Sequence, residues 1–288
     1  MAEINQEDYL LTSHIVKGYS GLDLGDDKHY LLSSRLTPVL TKFKFKDMAE
    51  LFGALRKSDR NMALVKAVSE SLATHESLFF RDIVPFQYLT KTMIPNLCRE
   101  GGPQRKIRIW SAACSIGQEP YSIVFSIDQA RAALGNPSVE LCATDFSSFA
   151  VERAKKGVYS QFEAQRGLTP SQVDSFFEKL PATSEVQVRE RFRKQIEFKE
   201  LNFLDSFIGL GLFDIIFCRN VLIYFTNPMK KQILERMAQI LKPDGYLVLG
   251  NTESMHGITE VFDRAENSNC AVYSKKRAPD LTTLRKVV

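Results

Sequence analysis

Hydrophobic residues recur at helical spacing along the first third of the chain. In Tyr30–Phe45 the apolar positions follow the 3.6-residue period of an α-helix. A second helix is predicted from Asp47, which has Glu50 three residues later as in a capping box, and a third is predicted from Asn61. Pro85 suits the first turn of a further helix. The pattern therefore predicts only helices in this part of the chain.

After residue 105 the pattern changes to apolar strands that alternate with amphipathic helices. The predicted strands cover 107–111, 139–143, 213–218 and 245–250, and the predicted helices cover 120–134, 147–155 and 227–241. Strands that are apolar almost throughout, such as "FDIIFC", are typical of a parallel sheet covered on both faces. Near the end, "EVFDRA" and "CAVYSK" predict an antiparallel hairpin that closes the sheet. The predicted fold class is α/β, with a mostly parallel, doubly wound sheet.

The alternation of strands and helices is interrupted between Gly157 and Asn202. A short helix is expected after Thr169 and Pro170, and "SEVQVRERFRKQIEFKE" then alternates as a hairpin with charged exposed faces would. We therefore expect a small, partly β insertion at about residues 158–200. The predicted domains are a helical N-terminal domain over 1–75, a linker and connecting helix over 76–105, and an α/β domain over 106–288 that contains the insertion.

Composition narrows the classes of protein that fit this pattern. The 288 residues include no apolar run near the roughly 20 residues of a membrane span, and the start "MAEINQEDYLLTS" lacks the features of an export signal. Five cysteines form no CxxC pair and four histidines form no HExxH motif, so we expect a reducing cytoplasm and no metal site. A net charge of +4 does not require a nucleic-acid partner.

The loop "WSAACSIGQE" (110–119) lies where nucleotide-binding sheets place a glycine-rich turn. It has one glycine, Gly117, and lacks both the G-x-G-x-x-G of dinucleotide sites and the GK[ST] of a P-loop. Glu119 follows closely, and an acid there suits a ligand that has no phosphates but carries a sulfonium and an amino group, such as S-adenosylmethionine. The alternative is that Glu119 only begins the helix, where the helix dipole favours an acid.

Two further strand ends carry polar residues. Asp145 ends the second strand, where an acid can bind both ribose hydroxyls; the alternative is a helix cap, although Ser147 or Ser148 could also cap. Arg219 and Asn220 follow the strand "FDIIFC", at the edge where open α/β sheets bind ligands. These positions predict a ligand site along the carboxyl edge of the sheet.

Tyr224 and the segment "THESLFFRD" (74–82) each allow two interpretations. Tyr224 lies four residues after Asn220, at the predicted site, but it could instead be a core aromatic whose hydroxyl binds the backbone. The proline-rich aromatic motif of nucleic-acid adenine methylases is absent from this region. The two phenylalanines and the Arg–Asp pair of "THESLFFRD", taken alone, suit packing between domains with a surface ion pair.

Together these stretches resemble the CheR family, the chemotaxis receptor glutamate methyltransferases. The family pattern is similar to N-[EL]-T-x-F-F-R-[DE], A-x-C-S-x-G-x-E-P-Y-S, a strand-end T-D, F-C-R-N-V-x-I-Y-F and L-K-P-x-G. The chain has "HESLFFRD", "AACSIGQEPYS", "ATDFS", "FCRNVLIYF" and "LKPDGYLVLGNTE", so the resemblance covers nearly the whole chain. His75 replaces the usual asparagine and Ser77 the usual threonine, and both can still hydrogen-bond a cofactor.

The resemblance implies an all-α N-terminal domain joined to a class I S-adenosylmethionine-dependent methyltransferase domain with a small β-insertion. It implies catalytic roles for Arg81 and Tyr224 and no metal. Carried over by position, the residues that contact S-adenosylmethionine are His75, Ser77, Arg81, Glu119, Asp145, Asn202, Phe203, Arg219 and Asn220.

The implied reaction methylates glutamate side chains on the cytoplasmic helices of chemotaxis receptors and releases S-adenosylhomocysteine. The implied partner is a methyl-accepting receptor, reached from the cytoplasm by a monomer recruited to receptor arrays, with no nucleic acid and no membrane insertion. Two alternatives stay open: a module that binds adenosylmethionine and signals without turnover, and a methyltransferase for another substrate.

The residues that could contact a protein substrate are less clearly identified by the sequence. Arg35, Lys42, Lys44 and Lys46 could steer an acidic receptor surface, or they could form only a solvated helix face. The insertion resembles the part with which some family members grip a receptor's C-terminal peptide. It lacks the paired glycines that we associate with that use, so we expect no such peptide to bind here.

Overall fold

The computed structural model describes residues 4–25, 29–57, 61–102, 105–181, 183–265 and 268–276. It begins with four helices, α1 (Gln6–Ser20), α2 (His29–Phe43), α3 (Met48–Lys57) and α4 (Met62–Leu72). The helices predicted from Tyr30, Asp47 and Asn61 are therefore confirmed. Asp47 accepts a 2.9 Å hydrogen bond from the N–H of Glu50, and Asn61 accepts one of 3.1 Å from the N–H of Leu64. Both side chains cap N–H groups that have no partner within the helix.

A connecting helical stretch follows, as predicted from Pro85. It consists of α5 (Val84–Tyr88), a π-helical segment (Leu89–Met93) and α6 (Ile94–Gly101). Pro85 lies in the first turn of α5, where its missing N–H removes no hydrogen bond. Pro95 lies at the start of α6, and its ring cannot fit against a regular preceding turn, which accounts for the wider turn before it.

The rest of the chain is organised by a seven-stranded sheet. Its strands are β1 (Lys106–Ala112), β2 (Ser138–Asp145), β6 (Ile196–Glu200), β7 (Phe213–Cys218), β8 (Leu241–Leu249), β9 (Phe262–Arg264) and β10 (Val272–Lys275). They lie in the order β6-β2-β1-β7-β8-β10-β9. The first five are parallel, and β10 is antiparallel to both β8 and β9. The predicted mostly parallel sheet and its terminal antiparallel pair are confirmed, although residues 266 and 267 of the connecting turn lie outside the described residues.

Helices cover both faces of this sheet. The longer ones are α7 (Gln118–Ala130), α8 (Ser148–Lys156) and α12 (Asn227–Ile240), with 3₁₀ turns at Ile208–Leu210 and Leu222–Tyr224. Successive residues of β1 point to opposite faces, so Ile107 and Ile109 join one hydrophobic cluster, whereas Trp110 and Ala112 join another that also contains the core of α1 to α4. The N-terminal helices therefore share a continuous core with one face of the sheet.

A second, three-stranded antiparallel sheet lies between β2 and β6 in the sequence. Its strands β3 (Val158–Ser160), β4 (Phe177–Lys179) and β5 (Glu185–Val188) lie in the order β3-β5-β4, with helices α9 (Gln161–Gln165), α10 (Pro170–Phe176) and α11 (Glu190–Arg193) around them. Thr169 caps α10 in a capping box, which confirms the helix predicted there.

The predicted hairpin in "SEVQVRERFRKQIEFKE" is wrong. β5 ("EVQV") pairs with β3 and β4, whereas β6 ("IEFKE") pairs with β2 in the large sheet, and α11 separates them. The three-stranded sheet thus ends at Val188, and β6 is not part of it. Both segments alternate because each has one buried face, but alternation does not specify which strand is the partner.

The described residues include no helix whose length and apolar character suit a membrane crossing.

Candidate functional site

One cavity lies along the carboxyl edge of the large sheet, and it collects every residue predicted for the site. It encloses about 1370 Å³ of space, part of it open to solvent, and is lined by residues that directly follow β1, β2, β6 and β7. The predicted residues on its wall are His75, Ser77, Arg81, Glu119, Asp145, Asn202, Phe203, Arg219, Asn220 and Tyr224. Parallel strands bring their carboxyl ends to one edge, which explains how residues far apart in sequence meet. The individual roles of these residues stay predictions.

The loop after β1 needs its single glycine. Gly117 has a φ of +100°, and a Cβ there would lie 2.9 Å from both the Ala154 Cβ and the Tyr159 hydroxyl. Ala113 and Ser115 also have left-handed φ values, of 58° and 51°. The loop is therefore tightly wound, and Gly117 allows it to approach α8 and the small sheet closely.

We expect Gly117→Ala to lower the free energy of unfolding by about 1–3 kcal/mol more than Gly135→Ala does. Both glycines have left-handed φ values, of +100° and +71°, so both substitutions strain the backbone. Only Gly117 has atoms within 4 Å that a Cβ would meet. Urea unfolding of the two variants measures the difference, and equal losses of stability would contradict the close approach at Gly117.

Glu119 lies in the first turn of α7, but its carboxylate is directed across the site. Its Oε1 accepts a 2.8 Å hydrogen bond from the Ser111 hydroxyl, and its Oε2 lies 3.2 Å from Nη1 of Arg219. Burial raises the pKa of the Glu119 carboxyl, and the charge of Arg219 and the hydrogen bond from Ser111 oppose that rise. Glu119 therefore does more than begin a helix: it pairs with a cation that belongs to another strand end.

Asp145 joins the loops that follow β1 and β2. Its Oδ2 accepts from the N–H of Ser115 at 2.8 Å, and its Oδ1 accepts from the N–H of Ser147 at 3.0 Å. The helix-cap alternative for Asp145 is wrong, because the Ser147 hydroxyl caps α8 by accepting from the N–H of Ala150 at 3.2 Å. Burial raises the pKa of Asp145, while these N–H donors and nearby His75 lower it. Each carboxylate oxygen keeps a lone pair for a ligand.

Arg219 holds the segment "FFRD" against the sheet edge. Its side chain is 1% exposed, and its Nη2 donates to the carbonyl of Arg81 at 2.8 Å and to Oδ2 of Asp82 at 3.0 Å. The surface ion pair considered for Arg81 and Asp82 is therefore wrong, since Asp82 pairs with Arg219. Among the described residues, the buried Nε of Arg219 has no hydrogen-bond partner.

The backbone of "FFRD" is tightly turned around Arg81. Phe80 and Asp82 have left-handed φ values of 49° and 54°, and the N–H of Phe80 donates to the Ser122 hydroxyl at 2.9 Å. Phe79 is fully buried and packs edge-on against Tyr159, with ring centroids 5.0 Å apart. Arg81 itself lies on the cavity wall, and its guanidinium makes no hydrogen bond or ion pair with any described residue. Its donors are left for a ligand.

Tyr224 ends the 3₁₀ turn that follows β7. Its ring lies half-buried on the cavity wall, and its carbonyl accepts a 2.8 Å hydrogen bond from the N–H of Asp23. Its hydroxyl makes no hydrogen bond within the described part of the chain, unlike that of Tyr121, which donates to the Ala154 carbonyl at 2.7 Å. Tyr224 thus differs from a core tyrosine whose hydroxyl binds the backbone.

Asn202 and His75 use polar groups to connect parts of the wall. The Asn202 amide donates to the Tyr19 carbonyl at 2.6 Å and accepts from the N–H of Leu204 at 3.0 Å, so it ties α1 to the end of β6. The His75 carbonyl accepts from the Ser115 hydroxyl at 3.1 Å. Both side chains keep further hydrogen-bonding capacity for a ligand.

Two groups of site residues were missed by sequence reasoning. The first is a wall supplied by the N-terminal helices and by the segment that follows α1, comprising Ser20, Leu22, Asp23, Leu24, Leu32 and Arg35. No local motif predicts this wall, because the wall depends on how the helices pack against the sheet. The second is Glu253, a buried carboxylate behind the turn after β7. Glu253 is part of the motif "LKPDGYLVLGNTE", but the motif predicted no role for it.

The four basic residues considered for steering a substrate divide into two kinds. Arg35 donates from Nη1 to the carbonyls of Leu72 and Ala73, at 2.7 and 3.2 Å, and therefore satisfies the end of α4. Lys42, Lys44 and Lys46 are exposed around the end of α2. The carbonyls do not neutralise the charge of Arg35, and the steering role of all four residues stays a prediction.

Comparison with known proteins matches two family profiles to this chain. The profile of "CheR methyltransferase, all-alpha domain" matches residues 7–70, and that of "CheR methyltransferase, SAM binding domain" matches residues 75–271. A "Chemotaxis protein methyltransferase" of Vibrio parahaemolyticus is 39% identical over 275 residues, which cover 95% of this chain and 98% of the relative. A "Chemotaxis protein methyltransferase 1" of Pseudomonas aeruginosa is 39% identical over 259 residues, which cover 89% of this chain and 93% of the relative.

Similarity to solved structures is weaker. The N-methyltransferase NodS of Bradyrhizobium japonicum, in complex with S-adenosyl-L-homocysteine, is 16% identical and has a TM-score of 0.39, over 69% of this chain and 91% of that chain. The family is instead identified by the two domain matches and by the near-complete coverage of the relatives. The chain therefore belongs to the CheR methyltransferase family, the S-adenosylmethionine-dependent chemotaxis methyltransferases.

Proposed function

We propose that this protein methylates glutamate side chains on the cytoplasmic helices of chemotaxis receptors, giving glutamate methyl esters and S-adenosylhomocysteine for sensory adaptation. The observation that carries the proposal is a pair of donors that line the same cavity. The Arg81 guanidinium and the Tyr224 hydroxyl both line the cavity, and neither has a hydrogen-bond partner among the described residues. Two available donors, one of them cationic, suit a carboxylate, which accepts hydrogen bonds on both oxygens.

The cavity also suits S-adenosylmethionine, which supplies an electrophilic methyl group on a sulfonium. Asp145 would accept from the ribose hydroxyls, because each of its oxygens has one protein donor and a free lone pair. Glu119 would face the positive end of the cofactor, and the unpartnered buried Nε of Arg219 would bind an acceptor on it. The remaining contacts would come from His75, Ser77, Arg81, Asn202, Phe203 and Asn220.

The pairing of Glu119 with Arg219 shapes this binding site. A buried carboxylate without a cation would resist ionisation strongly, whereas a fully neutralised one would attract a sulfonium less. Only Oε2 of Glu119 contacts Arg219, at 3.2 Å, and Oε1 contacts the neutral Ser111 hydroxyl. The ion pair and the hydrogen bond therefore favour the ionised carboxylate against the effect of burial, and part of its field stays directed at the cavity.

The proposed chemistry requires alignment more than proton transfer. A free glutamate side chain titrates at about 4.3, so the nucleophile is ionised at neutral pH and needs no general base. Arg81 would orient one oxygen of the substrate carboxylate, and Tyr224 the other, so that the attacking oxygen is held in line with the methyl group. Since charge is neutralised during the reaction, a dry site helps, and the side chains of Arg219 and Glu119 are only 1% and 13% exposed.

The proposed partner is the acidic surface of a receptor helix. Lys42, Lys44 and Lys46 are exposed and make no ion pair among the described residues, so they can attract such a surface over the range of the Debye length, about 8–10 Å. The proposed setting is the cytoplasm, with a monomer recruited to receptor arrays.

The experiment that tests the proposal mixes the protein with methyl-labelled S-adenosylmethionine and cytoplasmic fragments of receptors. We expect label to enter the fragment and to be released as methanol by mild base, because methyl esters hydrolyse under those conditions. The matched control is the same fragment with the glutamates of its methylated helices replaced by glutamine, which should take up no label. Base-stable label would indicate N-methylation, and binding of S-adenosylhomocysteine without any transfer would indicate a module that senses the cofactor.

A further inference from the structure

We propose that Glu253 is a positioning residue for methyl transfer, acting through the turn that carries Tyr224. The proposal rests on the proposed function, since the turn matters for the reaction only if Tyr224 orients the substrate. Glu253 is 7% exposed and does not line the cavity. Any effect on the reaction must therefore pass through the groups that it holds.

The Glu253 carboxylate binds four backbone N–H groups. Its Oε2 accepts from Asn220 and Gly250, both at 2.7 Å, and its Oε1 accepts from Val221 at 2.9 Å and Leu222 at 2.7 Å. β7 ends at Cys218 and β8 at Leu249, so these donors lie just beyond the point where the two strands stop pairing. The carboxylate replaces the ladder hydrogen bonds that the separating strands lose.

Three of the donors form an anion-binding turn. Asn220 has a left-handed φ of 57°, and the N–H groups of Asn220, Val221 and Leu222 converge on one carboxylate. Successive N–H groups in such a turn form a concave site that favours an anion. Here the anion is a side chain of the next loop along the edge, and no ion pair to Glu253 occurs among the described residues. The turn is therefore stabilised by the charge of Glu253 itself.

Gly250 is required for this contact. A Cβ at Gly250 would lie 2.6 Å from Nδ2 of Asn220, 2.8 Å from Oε2 of Glu253 and 2.9 Å from the Asn220 nitrogen. Alanine at this position would push the carboxylate and the turn apart without altering the charge. Gly250→Ala and a substitution of Glu253 thus disturb the same contact in two independent ways.

The hydrogen bonds to Val221 and Leu222 reach the residues that lead into the Leu222–Tyr224 turn. When they are lost, the Tyr224 ring gains freedom on the cavity wall, and the fraction of complexes with an aligned carboxylate falls. Of the proposed cofactor contacts, Asn220 is held by Glu253 through its N–H. The carboxylates of Asp145 and Glu119 are held by other donors, namely Ser115, Ser147, Ser111 and Arg219. Binding of the cofactor product should therefore depend less on Glu253 than turnover does.

The test compares Glu253→Gln and Gly250→Ala with Asp214→Asn. Asp214 is a fully buried carboxylate on the same strand, β7, but near its opposite end, where it accepts from Arg105, Lys242 and the N–H of Arg108. We expect Glu253→Gln and Gly250→Ala to lower the single-turnover rate per folded molecule about fivefold and to change the affinity for S-adenosylhomocysteine less than threefold. Asp214→Asn should lower the melting temperature and leave that rate unchanged.

Two further readouts separate positioning from general loosening. Exchange of the Val221 and Leu222 amide hydrogens should be slow in the parent protein and in Asp214→Asn, and fast in the other two variants; this readout needs no activity. In a Tyr224→Phe background, Glu253→Gln should cause little further loss of rate, since both changes remove the same alignment.

Equal losses of rate in all three variants, or full additivity with Tyr224→Phe, would overturn the positioning role. Protected Val221 and Leu222 amides in Glu253→Gln would overturn the anchor itself. If the parent protein does not methylate receptor fragments at all, the proposed function fails and the role in the reaction fails with it, whereas amide exchange still decides whether Glu253 holds the turn.

Discussion

Asp145→Ala should weaken the binding of S-adenosylhomocysteine by about 1.5–3 kcal/mol, which is a factor of about 10–150 in Kd. The carboxylate would lose charge-assisted hydrogen bonds to the ligand, and its removal would also leave the N–H groups of Ser115 and Ser147 without their acceptors. The first loss weakens binding, whereas the second destabilises the free and the ligand-bound protein alike and lowers the melting temperature. Isothermal titration calorimetry with S-adenosylhomocysteine measures the loss of affinity.

The matched control is Ser147→Ala. This change removes the hydroxyl that caps α8, at a cost of about 1 kcal/mol in stability, but keeps the Ser147 N–H that binds Asp145. We expect the control to lower the melting temperature and to leave the affinity within a factor of two. If Ser147→Ala weakens binding as much as Asp145→Ala does, the start of α8 rather than the carboxylate is responsible.

The parts of the fold that were predicted correctly are those that local pattern determines. The helix from Asn61 has a side chain that caps it and an apolar face that is buried, and both signals lie within a dozen residues. The strand "FDIIFC" is buried at all six positions, as a central parallel strand must be. Such signals need no knowledge of the partner element.

The failures concern partners rather than elements. "EVQV" and "IEFKE" are both strands, yet they belong to different sheets, because alternation reports one buried face and not the strand beside it. In the same way, the alternative in which Asp82 forms a surface ion pair with its neighbour Arg81 is wrong, because Asp82 pairs with Arg219 from another strand end. Pairing across the chain is a property of the packed fold.

Within the site, residues that belong to a recognisable motif were predicted, whereas residues that hold those residues in place were not. Side chains with recognisable chemistry at strand ends, such as Asp145 and Arg219, were predicted and line the cavity. Glu253 was not predicted, because its partners are backbone N–H groups. Every chain has such groups, so no sequence motif identifies them. The wall from the N-terminal helices and the segment after α1 was missed for a related reason, since Leu22 and Leu32 resemble ordinary core residues.

Tyr224→Phe should lower the rate of methyl transfer more than tenfold, or at least about 1.4 kcal/mol in the barrier, and leave the melting temperature unchanged. The ring keeps its packing, and the hydroxyl that is removed has no hydrogen-bond partner among the described residues, so the fold loses nothing. The affinity for S-adenosylhomocysteine should stay within a factor of a few. Single-turnover rates and thermal unfolding of the same preparation measure both quantities.

Tyr121→Phe is the matched control, because its expected pattern is the reverse. Tyr121 is fully buried on α7, does not line the cavity, and donates to the Ala154 carbonyl at 2.7 Å. Loss of that hydrogen bond should reduce the free energy of unfolding by about 1 kcal/mol while the rate per folded molecule stays the same. A Tyr224→Phe variant with a normal rate would remove Tyr224 from the reaction, and one that loses stability as Tyr121→Phe does would make it a core tyrosine. The crossed pattern, in which one hydroxyl supports only the reaction and the other only the fold, is the outcome that the different surroundings of the two hydroxyls predict.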